Sequence, residues 1–385
     1  MSAAPPLALY VHMPWCVRKC PYCDFNSHAL KAARPDAGYV DALIRDFELE
    51  RPSIEGRRIE TVFFGGGTPS LFSPDDYARL LEALRARAAF ADDAEITLEA
   101  NPGAIERGAF AAYRGAGINR VSLGAQTFSA EALEALGRIH SPQETRRAAE
   151  ELHAAGLANF NLDLMYALPA QTIEQALADV ASACALAPAH VSHYQLTLEP
   201  GTVFHARPPT LPSEDAAWAM QLECQQRLAD AGYAQYEVSA YARPGARCRH
   251  NLNYWSYGDY LGIGAGAHGK LSLALPARIV RTLKPRMPGA YLAAVQAARE
   301  GSAVGERTPV DPGELPFEFM LNALRLNEGF GNAQFVARTG LDLERIAAPL
   351  RAAERRGLIE ICADGWRPTA LGRRFLNDLQ AGFLP

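Results

Sequence analysis

The sequence of 385 residues lacks any apolar run near the roughly 18 residues a membrane-spanning helix needs, so no transmembrane segment is expected. It also lacks an excess of basic charge: 38 Lys and Arg stand against 43 Asp and Glu, a net charge of −5. That balance gives no general pull toward nucleic acid or anionic lipid. The opening residues, MSAAPPLALYVHMPW, have no charged segment ahead of their apolar stretch. They therefore read as a first strand and not as a secretory leader, and a cytoplasmic protein is expected. No G-x-G-x-x-G opens a helix after a strand-like run, which weighs against an open dinucleotide-binding sheet. Cysteine is scarce, with seven residues, and in a reducing compartment no disulfide framework is expected. Cys184, Cys224, Cys248 and Cys362 are scattered singly and read as packing residues.

The other three cysteines are crowded into CVRKCPYCDF, residues 16–25. The spacing C-x3-C-x2-C lets three thiolates on one loop converge. A zinc ion would need a fourth ligand, which His12 or His28 could supply. A [4Fe–4S] cluster would take three cysteines and leave one iron open. The position of the loop after a first barrel strand, and Tyr22 just before the last cysteine, favour the cluster.

Apolar, β-branched runs recur at 8–14, 61–67, 95–100, 120–126, 159–167 and 190–199, with helical spacing between them. Ser73-Pro74 and Ser141-Pro142 mark two helix starts. Six such units predict an α/β fold, a partial (β/α)6 TIM-type barrel over residues 1–205. The unusual residues fall at the carboxyl ends of the strands, where barrels of this kind carry their sites. An extension, 206–312, is expected to pack on the barrel and contains CRHNLNYWSYGDYLGIGAGAHG (248–269). Residues 313–385 order their helices and a hairpin like a winged-helix domain. Their Arg and acidic residues balance at nine each, which argues against nucleic-acid binding. Their apolar stripes are expected to cover the open barrel edge and help close a cofactor chamber.

VHMPWCVRKCPYCDF, FFGGGTPS, LEANPG, RVSLGAQTF, LGRIH, NLDLMYALP and HNLNYW together resemble the radical S-adenosylmethionine (SAM) superfamily. The resemblance runs along nearly the whole chain. It lies with the branch containing oxygen-independent coproporphyrinogen III oxidase and HemW-like heme chaperones. It implies a [4Fe–4S] cluster on Cys16, Cys20 and Cys23, with the amino and carboxylate groups of SAM on the open iron. It further implies SAM contacts at Tyr10, Tyr22, Gly66, Gly67, Thr68, Glu99, Gln126, Arg138, Asp163 and His268. The residue types suit that ligand: glycines allow close backbone approach, carboxylates and amides meet an ammonium and ribose hydroxyls, and a guanidinium meets a carboxylate.

Within the branch, the oxidase resemblance would call for a fourth cysteine where Phe25 stands and for a long N-terminal extension; here fifteen residues precede Cys16. His250, Asn251, Tyr254 and Trp255 match the H-N-x-x-Y-W motif of the HemW-like proteins. The resemblance thus implies a heme chaperone that binds the cluster, SAM and heme, uses an electron donor, and passes heme to an acceptor protein. His250, Tyr254 and Trp255 are its candidate heme site, with Cys248 close by. A structural aromatic cluster is the rival reading of those residues. The alternative functions are an oxygen-independent coproporphyrinogen III oxidase, or a SAM enzyme on an unrelated substrate.

Overall fold

The computed structural model describes residues 4–30, 37–54, 56–103, 109–273, 278–299 and 304–385. Residues 1–3, the start of the segment read above as lacking a leader, lie outside them. Six strands run side by side in chain order, all parallel: β1 (Leu7–Met13), β2 (Ile59–Gly66), β3 (Phe90–Ala100), β4 (Arg120–Gln126), β5 (Phe160–Tyr166) and β6 (His190–Gln195). This is the α/β, partial-barrel core that the alternating pattern predicts. β4 is buried at every position, as a strand covered on both faces must be. Helices α1 (Ala37–Glu50), α2 (Pro74–Arg85), α3 (Phe110–Gly115), α4 (Pro142–Ala154) and α5 (Ile173–Ala185) lie between the strands in sequence.

The helix starts follow the expected chemistry. Ser73 accepts from the Asp76 N–H while Asp76 accepts from the Ser73 N–H, and Ser141 and Glu144 do the same. Pro74 and Pro142 occupy first helical positions, where no N–H is needed. β3 begins at Phe90, earlier than expected, because a register shift against β2 carries the exposed Asp92 and Asp93 and breaks the apolar alternation.

The sheet does not stop at six strands. On the far side of β6 it adds β7 (Ala234–Gln235) and β8 (Ala240–Ala242), antiparallel. On the free side of β1 it adds β9 (Asp259–Ile263), a seventh parallel strand in register from Leu7 with Asp259 to Val11 with Ile263. The antiparallel strands β10 (His268–Leu273), β11 (Arg278–Leu283) and β12 (Glu306–Pro309) complete the twelve-stranded order. Residues 206–312 thus continue the barrel's own sheet at both edges rather than lying on it.

Between β8 and β9, helix α6 (Arg249–Trp255) closes the amino-terminal end of the barrel. The N–H groups of Arg249 and His250 donate to the Glu95 carboxylate at 3.2 and 3.1 Å. Beyond it, α7 (Leu315–Ala323), α8 (Asn332–Thr339) and α9 (Glu344–Arg355) pack with a small sheet of β13 (Phe330–Gly331), β14 (Ile359–Cys362) and β15 (Gly365–Pro368). The order is the winged-helix-like one expected. Phe319, Met320, Phe335, Ile346 and Leu350 form its core together with Tyr257 and Ile279 of the extension. Glu318 accepts from Arg281 at 2.6 Å and from the Tyr257 hydroxyl at 2.7 Å, and Gln334 donates to the Ser256 carbonyl. This unit therefore sits against α6 and the extension. It does not close the chamber at the opposite end, whose lining stops at Glu199, which corrects the expectation from its apolar stripes. Among the described residues no helix is long and apolar enough to cross a membrane.

Candidate functional site

The carboxyl ends of the parallel strands surround a cavity of about 370 Å3. Cys16, Cys20 and Cys23, on the loop leaving β1, form one wall together with Tyr22. Gly66, Gly67 and Thr68 line it from the end of β2, Glu99 from β3, Gln126 from β4, Arg138 from the following loop and Asp163 from β5. Eleven residues singled out in the sequence, from six separate segments, therefore meet on one chamber.

The turn after β2 braces the cysteine loop. The Gly67 N–H donates to the Met13 carbonyl and the Thr68 N–H to that of Trp15, both at 2.7 Å. A Cβ on Gly67 would lie 2.4 Å from the Trp15 carbonyl oxygen, and Gly66 has φ of 116°, so neither position accepts a side chain without displacement. Beside the loop, the Lys19 ammonium donates to the Phe25 and Ser27 carbonyls at 3.0 and 3.3 Å.

All three thiols are free. Burial pushes the Cys16 and Cys23 thiols up from their ordinary value, and neighbouring cysteines push the same way. A cationic iron centre would relieve both effects by taking the thiolates. Of the two histidines that could complete a zinc site, His28 keeps Nε2 without a hydrogen-bond partner, whereas His12 is committed. His12 already bonds the Tyr10 hydroxyl (2.9 Å) and the Asn26 carbonyl (2.8 Å). Among the described residues no group of three or more His, Cys, Asp or Glu side chains could hold one metal ion.

The opposite wall carries two buried carboxylates, Glu99 and Asp163. Burial, reinforced by Asp163, raises Glu99 to about 8, although the Gly66 N–H donates to it at 3.1 Å. Asp163 is also raised, first by burial, while hydrogen bonds from Asn161 (2.8 Å) and Ser122 (3.1 Å) oppose the shift. Such a wall fits a ligand bringing an ammonium, a sulfonium and hydroxyl donors. Arg138 donates to the Gly124 carbonyl at 2.9 Å and to Asn101, and its Nη1 lies 3.8 Å from Cys20 Sγ. Gln126, held at φ of 65°, accepts from the Tyr194 hydroxyl at 2.8 Å.

Two of the expected SAM contacts do not reach the cavity. Tyr10 lies beneath it, its ring stacked near Phe63 and its hydroxyl on His12. His268 begins β10 and is exposed away from the lining. Sequence reasoning missed Asn101, Ser122, Asn161 and Tyr194. Asn101 stands two residues after Glu99 and could have been found from that spacing. The others point inward from strands whose rotation the sequence alone does not give.

The candidate heme residues are placed elsewhere. His250 is 1% exposed at the amino-terminal end of the barrel, with Nδ1 on Thr61 Oγ1 (2.8 Å) and Nε2 on the Tyr254 hydroxyl (2.9 Å). Both ring nitrogens are committed, which leaves none to bind an iron. Trp255 lies under the Arg325 guanidinium at 4.2 Å. Cys248 is buried against Glu95, its thiol pushed up to about 11 by burial first. The aromatic cluster acts here as a joint between the barrel, α6 and the C-terminal unit.

A model of the radical SAM superfamily matches residues 10–182, and one of the HemN C-terminal domain matches residues 310–375. The heme chaperone HemW of Escherichia coli is 49% identical over 384 residues, covering all of both chains. The heme chaperone HemW of Haemophilus influenzae is 45% identical over 388 residues, covering 100% of this chain and 99% of its own. That of Mycobacterium tuberculosis is 35% identical over 367 residues, covering 94% and 88%. The solved structure of HemN, the radical SAM coproporphyrinogen III oxidase of Escherichia coli, superposes with a TM-score of 0.82 at 23% identity, over 99% of this chain and 90% of that one. This last likeness concerns the fold.

Proposed function

The chain belongs to the radical SAM superfamily, in the family of HemW heme chaperones, and from that premise we propose that it binds heme and passes it to an acceptor protein. The observation that carries this reading is the character of the chamber's surroundings. Its polar interior is neighboured by apolar side chains left in solvent: Val17 (36% exposed), Phe25 (58%), Ile139 (52%) and Val203 (59%). An isolated exposed apolar residue needs no explanation, but a group of them around one cysteine loop suits a flat apolar cargo.

In this reading Cys16, Cys20 and Cys23 hold a [4Fe–4S] cluster. Glu99 and Asp163 accept hydrogen bonds from the ammonium and hydroxyl groups of SAM. Arg138, fixed by Asn101 and the Gly124 carbonyl, offers its guanidinium to a carboxylate and offsets the charge of the neighbouring thiolate. The cluster and SAM supply one-electron chemistry when bound. An electron donor and a heme acceptor are the partners this implies.

Anaerobic reconstitution, heme titration and a parallel assay of coproporphyrinogen III decarboxylation test the reading together. Stoichiometric heme binding without decarboxylation is expected. Efficient turnover of coproporphyrinogen III would make the protein an oxidase instead.

A further inference from the structure

If heme is the cargo, its iron needs a ligand from the chain, and the histidines can be sorted by what their ring nitrogens already do. His12, His190 and His250 have both nitrogens bonded. His140 and His193 are buried, and His28 is half-buried, with Nε2 unpartnered and its backbone paired to Trp15. The exposed imidazoles are His153, His205 and His268.

His205 differs from the other two in its setting. It lies in a single helical turn, Val203–Ala206, capped by Thr202, whose side chain accepts from the His205 N–H at 3.1 Å. That turn is fastened to the cysteine loop. The Phe204 N–H donates to the Pro21 carbonyl at 3.0 Å, and the Phe204 ring packs on Tyr22 at 6.3 Å. Glu199, whose carbonyl accepts from Thr202, lines the chamber. His205 therefore stands at the chamber's edge, two residues from the exposed Val203.

Its ring is also set for coordination. Nδ1 lies 3.3 Å from the Leu198 carbonyl oxygen. A carbonyl only accepts, so Nδ1 carries a proton, and in the neutral ring the lone pair is on Nε2. A backbone carbonyl on one nitrogen is the usual device for orienting a histidine that ligates metal through the other. His153 also bonds a carbonyl, that of Leu186, but it sits in the last turn of α4 against Phe160, the residue that starts β5, at the barrel's other end.

We propose that His205, through Nε2, is the axial ligand that this protein gives to heme iron, at the rim of the chamber beside Val203. The proposal rests on the heme-chaperone reading. It also assigns the ligand to a residue outside the H-N-x-x-Y-W segment.

The test uses full-length, anaerobically reconstituted protein titrated with ferric heme and followed by difference absorption in the Soret region. His205→Ala is expected to shift the Soret band and weaken heme binding at least about tenfold, a loss that removing even an outer-shell partner of a metal ligand produces. Cluster iron content should stay unchanged, and added imidazole should restore the wild-type band. His153→Ala should keep the wild-type spectrum. Wild-type band position and affinity in His205→Ala would overturn the assignment while leaving the chaperone reading intact. Absence of heme binding by the wild-type protein would overturn both.

Discussion

Glu99 is a carboxylate that the fold holds against its own ionisation, and its consequences can be measured. Its folded-state value of about 8 lies above its ordinary 4.5, so between the two the folded chain binds a proton that the unfolded chain has released. Stability from this group is full below about 4.5 and is lost as the pH rises through about 8. Thermal melts of the ligand-free protein should therefore show a fall across that window that Glu99→Gln lacks. A cationic ligand reverses the preference, so SAM affinity should rise with pH through the same window. Glu99→Ala and Asp163→Ala should each weaken SAM binding by about 1–3 kcal/mol, the cost of leaving donors unpaired, as read by calorimetry on the cluster-loaded protein. At this scale the sequence was informative where spacing keeps residues on one loop, as for Cys16, Cys20 and Cys23, which line the same chamber. It was misleading for His250, because the groups that consume its two nitrogens include Thr61, 189 positions away. Tyr194 was invisible for the same reason: its partner Gln126 belongs to another strand.

Among the elements, the turn after β2 makes the strictest demand. Gly67→Ala should force the Trp15 backbone away and tilt the cysteine loop. The expected outcome is normal far-ultraviolet circular dichroism with much reduced iron uptake on reconstitution. Ser141→Ala removes the side-chain half of a capping box at the start of α4 and should cost about 1 kcal/mol in urea unfolding, with no effect on iron content. The six core strands were legible because both faces of each are covered, which leaves apolar runs no other element explains. β9 was not. It is five residues long and begins with Asp259, a residue that reads as loop. Asp259 is nonetheless buried in the sheet because Arg57 (2.7 Å) and Lys270 (2.9 Å) meet its carboxylate. Charge pairing over long separations can place an acidic residue in a strand, and no local pattern announces it.

For the whole molecule, the separation between the two ends of the barrel decides what truncation does. Deleting 313–385 uncovers Tyr257 and Ile279 and removes Glu318, the carboxylate partner of Arg281. Lower solubility is expected, but the soluble fraction should keep its cluster in air as long as the intact protein does, since no chamber-lining residue is lost. Faster bleaching of the truncated protein would mean that the C-terminal unit shields the cluster after all. The domain order was readable from the change in pattern near 205 and 313, whereas the sharing of one sheet across the first boundary was not. That sharing has a consequence for how the chain is made. β1, which carries the cysteine loop, is made before the other strands of this sheet, yet it lies between β2 and β9. Leu7 must wait for Asp259 before its second edge is filled. Through most of synthesis that edge stays open, the condition in which strands find wrong partners. On the proposed cluster reading, iron supplied to the nascent chain would meet a loop on a half-paired strand, so cluster uptake is expected to need the finished polypeptide.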